Sequence, residues 1–405
     1  MAKIINKIAF IVHEPSMYDH WVGVWQKLEK SKFEIVFLDS FKFSPNAGFK
    51  KDSERFLKKI NSKGYSFCFL SDFLKSGDKY SFVISNHPVQ GNTLIDEPLP
   101  VKIKIKNKIK IVLNSLVNSL GITRYYPLTL SSQFLPMKIG IKRIRFMYGA
   151  DINDGWSLGK WNEMFEIFLC HGPNDEREIN RRFNGKTYQM GYPRYDDYFN
   201  SPDLGNDLQK EFSGSPEKKT VVWLPTLGDE ICSIPYYTKQ IAELSKDYNL
   251  IVRPHPLTFR DYPENISMLK NNKYIIDDDP LRDMNALYKI ADFVICDYGG
   301  TQFSSLYLDK KIILLNVPGA DTYYTSKKSS DFELRKELSP VLDIEESIKL
   351  EDILQDDAVW TKQDEQRQRI FAKYFAPYRG NSTARVVSIL NELLSQNQTD
   401  IRKVE

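Results

Sequence analysis

Short runs of apolar, β-branched residues recur along the chain, each followed by a stretch of helical character. In the first half they are KIAFIVH (7–13), FEIVFLD (33–39), YSFCFL (65–70), YSFVISNH (80–87), RIRFMYG (143–149) and FEIFLCHG (165–172). In the second half they are KKTVVWLPT (218–226), YNLIVRPHP (248–256), KYIID (273–277), ADFVICD (291–297) and KKIILLN (310–316). A strand that is apolar throughout is buried on both faces, which happens where helices cover both sides of a parallel sheet. The pattern therefore predicts an α/β chain with parallel sheets. At 405 residues there is enough chain for two such domains, each with its own core. The stretch NSPDLGNDLQKEFSGSPEKK (200–219) is polar and rich in Gly, Pro and Ser, and it reads as the linker between them. The expected domains are 1–204 and 205–360, then helices over 361–396 that break at Gly380 and restart from Asn381 or Ser382. Residues 397–405 read as a frayed end or a bridge to further domains of a larger synthase.

Several classes of function are disfavoured at this stage. Lys and Arg total 56 against 53 Asp and Glu, so nothing in the totals is designed for a nucleic acid. Cys68, Cys170, Cys232 and Cys296 lie far apart with no Cys-x-x-Cys, which argues against a zinc site or a disulfide framework and fits a reducing cytoplasm. The N-terminus runs straight into a strand without a cleavable signal, and no run approaches the roughly 18 apolar residues of a membrane span. A soluble, cytoplasmic protein is expected, with no metal and no cofactor.

In doubly wound sheets ligands bind at the carboxyl ends of the strands, so the residues after each run carry the chemistry. ADFVICDYGGTQFSSLYL ends a strand at Asp297, turns on Gly299 and Gly300, and opens a helix at Thr301. Glycines let the backbone approach a phosphate, the helix start favours it, and Ser304 and Ser305 add hydroxyls. The plainer alternative is a glycine turn with Thr301 as its cap. In VRPHP, His255 is held between two prolines with Arg253 on the same face, suited to a nucleotide phosphate or a departing group; the plainer alternative is a half-buried histidine satisfied by a backbone carbonyl. In GADINDGWSLGKW, Asp151 and Asp154 are base, hydroxyl ligand or turn former, and Trp156 offers a flat face for a sugar. Arg194 of MGYPRYDDYF ends a further strand, as a site residue or as part of a packing loop. In IDDDPLRDM, Asp279 before Pro280 reads as a helix cap rather than a metal clamp. VKIKIKNKIKIV (101–112) reads as a strand with Lys102, Lys104, Lys106, Lys108 and Lys110 on one face, protecting an edge or meeting an anionic membrane.

Two Rossmann-like halves together with RPHP, DYGG…SSL, GYPRYD and the LPT strand end resemble the modified GT-B architecture, two domains facing across a cleft with C-terminal helices packing back on the first. These motifs are similar to the CDP-glycerol glycerophosphotransferases. DGWS, the Arg-Pro-His-Pro sequence and the loop over 226–240 resemble more the retaining β-Kdo transferases of capsule and lipopolysaccharide O-antigen assembly. That resemblance implies CMP-Kdo as donor and the nonreducing end of a lipid-linked O-antigen or capsule-type glycan as acceptor, at the inner face of the cytoplasmic membrane. It implies that Arg253, His255, Arg194 and the Gly299–Ser305 turn hold the donor, with His255 and Asp154 catalytic. Trp156, Asp151 and Ser233 would lie on the sugar or acceptor side. The family's aspartate nucleophile falls where this chain has Cys232, which implies impaired turnover, since a thioglycoside breaks slowly. The alternatives are transfer of glycerol or ribitol phosphate from a CDP-alditol, and a non-catalytic module that binds a nucleotide sugar.

Overall fold

The computed structural model describes residues 3–44, 47–89, 134–152, 157–212, 215–228, 230–323, 329–344 and 349–402, with 102, 105, 106, 108–110, 112, 113 and 116. It divides into two units, one of residues 1–148, 158–193 and 381–405, the other of 149–157 and 194–380.

The first unit is built on seven strands, β1 (Ile4–Val12), β2 (Phe33–Phe37), β3 (Phe67–Phe69), β4 (Lys79–Ser85), β5 (Gly140–Phe146), β6 (Ile167–Cys170) and β7 (Lys186–Gln189). All pairs are parallel and the order is β3-β2-β1-β4-β5-β6-β7. The order reverses direction between β1 and β4, which makes their carboxyl ends the switch point where such sheets open a crevice. Phe10 on β1 anchors the core, with the rings of Trp21, Trp25 and Phe33 at 5.3, 5.9 and 5.7 Å. The helix Ser382–Arg402 returns to this unit. It packs on the helix Tyr18–Lys27 so closely that a Cβ on Gly23 would meet Thr383 Oγ1 at 3.2 Å.

The second unit has six parallel strands, β8 (Thr220–Leu224), β9 (Asn249–Val252), β10 (Ile275–Ile276), β11 (Phe293–Cys296), β12 (Lys311–Leu315) and β13 (Val341–Leu342). Their order is β10-β9-β8-β11-β12-β13, with the switch between β8 and β11. Trp223, Tyr237, Ile241, Phe293, Ile295 and Trp360 belong to one buried cluster that fixes β8 and β11 against the surrounding helices. The doubly wound α/β class is as the apolar runs predict.

Four local expectations are corrected. Lys102, Lys106, Lys108 and Lys110 are helical, not strand residues, while Lys104 lies outside the described residues. Ile105, Ile109, Val112, Leu113 and Leu116 of the same segment recur at helical spacing and are exposed. The segment read as a linker contains the helix Asn206–Glu211 and belongs to the second unit. Asp279 does not cap a helix; its Oδ1 accepts from Leu281 N, and the true cap is Asp283, which accepts from Asn285 N ahead of the helix Met284–Ile290. The C-terminal helix runs to Arg402, past the expected helix end at 396 and into the segment read as frayed.

Candidate functional site

In the second unit the carboxyl ends of β8 and β11 are tied together by Asp297. This carboxylate is fully buried and accepts from Thr226 N, Ser233 N and Tyr298 N at 2.8 Å and from Ser233 Oγ at 2.7 Å. Burial pushes its pKa up to about 6, against the pull of those hydrogen bonds. Ser233, expected on the acceptor side, is therefore a buried tie, and its hydroxyl also accepts from the Trp223 indole at 3.1 Å.

The turn that follows needs glycine. Gly299 has φ 85° and ψ −162°, a backbone that other residues adopt only with strain. Its N–H donates to Asp331 Oδ1 at 3.0 Å. Gly300 opens the helix Gly300–Tyr307, and a Cβ there would stand 3.2 Å from Asp151 Oδ1. Asp151 thus lies in the second unit beside the Gly299–Gly300 turn. Thr301 follows at the helix start, but Ser304 Oγ and Ser305 Oγ turn back to the carbonyls of Gly300 and Thr301 at 3.0 and 2.8 Å. Both serines are buried, so their hydroxyls brace the helix instead of facing a ligand.

At the end of β9 the two expected residues differ. Arg253 Nη1 donates to Asp277 Oδ2 at 2.5 Å and to the Asp279 carbonyl at 3.0 Å. Asp277 is buried and also holds Arg282, so Arg253 belongs to a structural ion network. His255 is half-buried, and its Nδ1 accepts from Leu257 N at 3.2 Å. That bond leaves the neutral ring with its proton on Nε2, a donor of fixed direction. Arg194 lies half-buried over the Tyr195 ring, and its carbonyl accepts from Asn285 Nδ2 at 2.8 Å. Asp154 and Trp156 lie outside the described residues. Cys232 is fully buried in the core cluster with Trp223, Ile234 and Tyr237, and Asn265 Nδ2 is 4.0 Å from its sulfur. The polar look of GDEICSIP is misleading: the thiol faces inward, which is the packing environment and not that of a nucleophile open to a donor.

The sequence reading missed a second constellation, at the switch point of the first unit. His13 follows β1 and His87 follows β4, with ring centroids 4.7 Å apart. Tyr148 follows β5, with its ring 5.0 Å from that of His87 and stacked 4.5 Å from that of His20. Asn86 after β4 and Arg145 on β5 are buried. Burial and the charges of His13 and Arg145 hold His87 well below the usual histidine range, and burial lowers His13 against the pull of Glu14. Burial also lowers the Arg145 guanidinium to about 9. A signal was available, because the runs over 7–13 and 80–87 both end in histidine. Among the described residues no group of three or more His, Cys, Asp or Glu could hold a metal ion.

The sequence model of the CDP-Glycerol:Poly(glycerophosphate) glycerophosphotransferase family matches residues 161–392. A teichoic acid glycerol-phosphate primase from Bacillus spizizenii is 28% identical over 215 residues, covering 51% of this chain and 53% of that protein. A teichoic acid poly(glycerol phosphate) polymerase from the same species is 26% identical over 219 residues, with the same coverage of 51% and 53%. The chain thus spans about half the length of these curated relatives. The solved structure of the wall teichoic acid polymerase TagF superposes with a TM-score of 0.61 at 14% identity, covering 97% of this chain and 90% of that one, a likeness of fold. These findings correct the donor and acceptor drawn from the β-Kdo transferase resemblance: the matching family and relatives are named for glycerol phosphate transfer, not for CMP-Kdo and an O-antigen glycan.

Proposed function

The chain belongs to the CDP-glycerol:poly(glycerophosphate) glycerophosphotransferase family, and from that membership we propose that it transfers an alditol phosphate from a CDP-alditol to an acceptor hydroxyl. The acceptor oxygen attacks the phosphorus that carries the alditol. The bond from that phosphorus to the bridging oxygen breaks, and its electron pair departs with CMP. The acceptor hydroxyl gives up its proton as the new phosphodiester forms. Catalysis of such a step is mostly positioning and stabilisation of charge on the phosphoryl oxygens. In this reading the amides at the start of the helix Gly300–Tyr307 receive the diphosphate, and His255 donates from Nε2 to the departing phosphate. Asp151, near Gly300, takes the acceptor proton; its closeness to that turn supports the role. The observation that carries the reading is the family match over residues 161–392, which takes in His255 and the Gly299–Thr301 turn together.

No described helix is long and apolar enough to cross a membrane. The exposed Ile105, Ile109, Val112, Leu113 and Leu116, with lysines on the same helical segment, support peripheral contact with an anionic membrane face.

The test is direct. Purified protein with CDP-glycerol or CDP-ribitol and a polyol-phosphate acceptor should release CMP and add one alditol phosphate to the acceptor per CMP. Turnover of a CMP-linked sugar, with none of either CDP-alditol, would overturn the proposal.

A further inference from the structure

The first unit holds an unusual set of buried polar atoms at its switch point. Arg145 is 2% exposed, and its Nε and Nη1 have no hydrogen-bond partner among the described residues. Asn86 is fully buried, and neither end of its amide has a partner among the described residues. His13 Nδ1 and His171 Nε2 are in the same condition. These residues stand at the carboxyl ends of the adjacent strands β1, β4, β5 and β6. Arg145 pairs with Ser85 across β5 and β4, one residue before Asn86, and its charge is felt by His87. His87 in turn stands against His13. Asp175 lies close enough to act on Arg145, and it is hydrogen-bonded through Oδ2 to His171 Nδ1 at 2.7 Å.

Buried polar groups in native proteins nearly always have partners, and a cluster without them marks a place built for something else. The chemistry of the donors narrows what that is. A guanidinium offering free N–H groups selects planar or tetrahedral oxyanions, and it excludes a metal cation. The amide of Asn86 and the two imidazoles add donors that adjust to either geometry. His13, His87 and Tyr148 are half-buried, so these rings keep contact with solvent. None of these residues belongs to the turn, histidine or glycines of the second unit.

We infer that Arg145, Asn86, His13 and His87 form a binding site for an oxyanion, a phosphoryl or carboxylate group, carried by the acceptor. The assignment to the acceptor rests on the proposed transfer reaction, whereas the oxyanion site itself stands on the first unit alone. The site gives the first unit a ligand of its own and makes acceptors without a nearby negative charge poor substrates.

The experiment uses the full chain with ¹⁵N-labelled histidine, each imidazole assigned by its His→Asn variant. Inorganic phosphate, sn-glycerol 3-phosphate, glucuronate and uncharged glycerol are titrated in turn, without nucleotide. Saturable shifts of His13 and His87 are expected with at least one oxyanion and none with glycerol, while His255 stays in place. A response to both phosphate probes but not to glucuronate identifies a phosphoryl group, and the reverse a carboxylate. Arg145→Gln should weaken the responding probe at least tenfold, and Arg145→Lys less. Should Arg145→Gln not fold, Asn86→Leu is read in the same way. No saturable shift with any oxyanion, or an equal response to glycerol, overturns the site. CMP shifting His255 alone in the same sample would show that the donor reading survives that failure.

Discussion

Replacing Asp297 by asparagine gives a change of stability whose sign depends on pH. In the folded chain the carboxyl is buried and its pKa stands at about 6, against an ordinary 3.8. The folded state therefore holds the proton more tightly than the unfolded state. This contribution to stability is complete below 3.8 and is lost as pH rises through about 6, a difference of about 3 kcal/mol. Asparagine keeps an oxygen for Thr226 N and Tyr298 N but turns an amide toward Ser233 N, leaving one buried donor opposed to another. That mismatch costs about 2 kcal/mol at any pH. The variant should then be less stable than the parent by about 2 kcal/mol near pH 4, and more stable than the parent by about 1 kcal/mol above pH 7, where the parent bears the buried charge. Urea denaturation of both proteins across pH 4 to 8 measures the difference. Parallel stability curves for parent and variant would show that Asp297 does not titrate in this window, and the account of the β8–β11 tie would fall.

The other consequences concern residues that the sequence read as ligands. Arg253→Ala should cost about 3 kcal/mol of stability by stripping a partner from buried Asp277, with CMP affinity per folded molecule nearly unchanged; a folded variant of normal stability that has lost CMP would reverse this. His255→Ala should fold normally and weaken CMP by about 1.5–3 kcal/mol in a calorimetric titration, and undiminished affinity would remove His255 from the site. Cys232 should resist a water-soluble disulfide reagent in the native protein and react in urea, as peptide mapping can read; native-state labelling at the rate of a free thiol would place it at the surface. Ile109→Glu and Leu113→Glu together should reduce sedimentation with anionic vesicles severalfold, and unaltered sedimentation would detach this helix from membrane contact.

The strands of both sheets were legible where they are buried on both faces. The apolar runs coincide with β1 to β6 and β8 to β12; β7, expected only as the strand that MGYPRYDDYF ends, and β13, not anticipated, stand at sheet edges. Lys186–Gln189 is exposed or half-buried throughout, and Val341–Leu342 has two residues, so neither carries the apolar signature of an interior strand. Over 101–112 alternation misled. Lysine and isoleucine alternate with period two, yet Ile105, Ile109, Val112 and Leu116 also fit a helix, and a single sequence does not arbitrate between the two periods there. Asp279 misled in a similar way, since an Asx turn and a helix cap use the same side chain and the same spacing to the accepted N–H.

The candidate site divides along a different line. Which strand ends carry polar residues is written in the sequence, because a loop follows each apolar run. Which way those side chains turn is not, because the partners that turn them are remote. Arg253 is claimed by Asp277 on the next strand, Ser233 by Asp297 sixty-four positions on, and Cys232 by a core assembled from several elements. The first unit shows the converse. His13 and His87 are seventy-four positions apart, Arg145 is fifty-eight beyond His87, and no local motif links them; parallel pairing of β1 with β4 and of β4 with β5 brings the three strand ends together. A motif search finds sites made by one loop, whereas a doubly wound sheet makes a site by setting several strand ends side by side. Histidines at the ends of neighbouring strands in a sheet of known order are therefore a stronger signal than the same histidines read along the chain. The strand order 3-2-1-4 is the information that converts the one into the other.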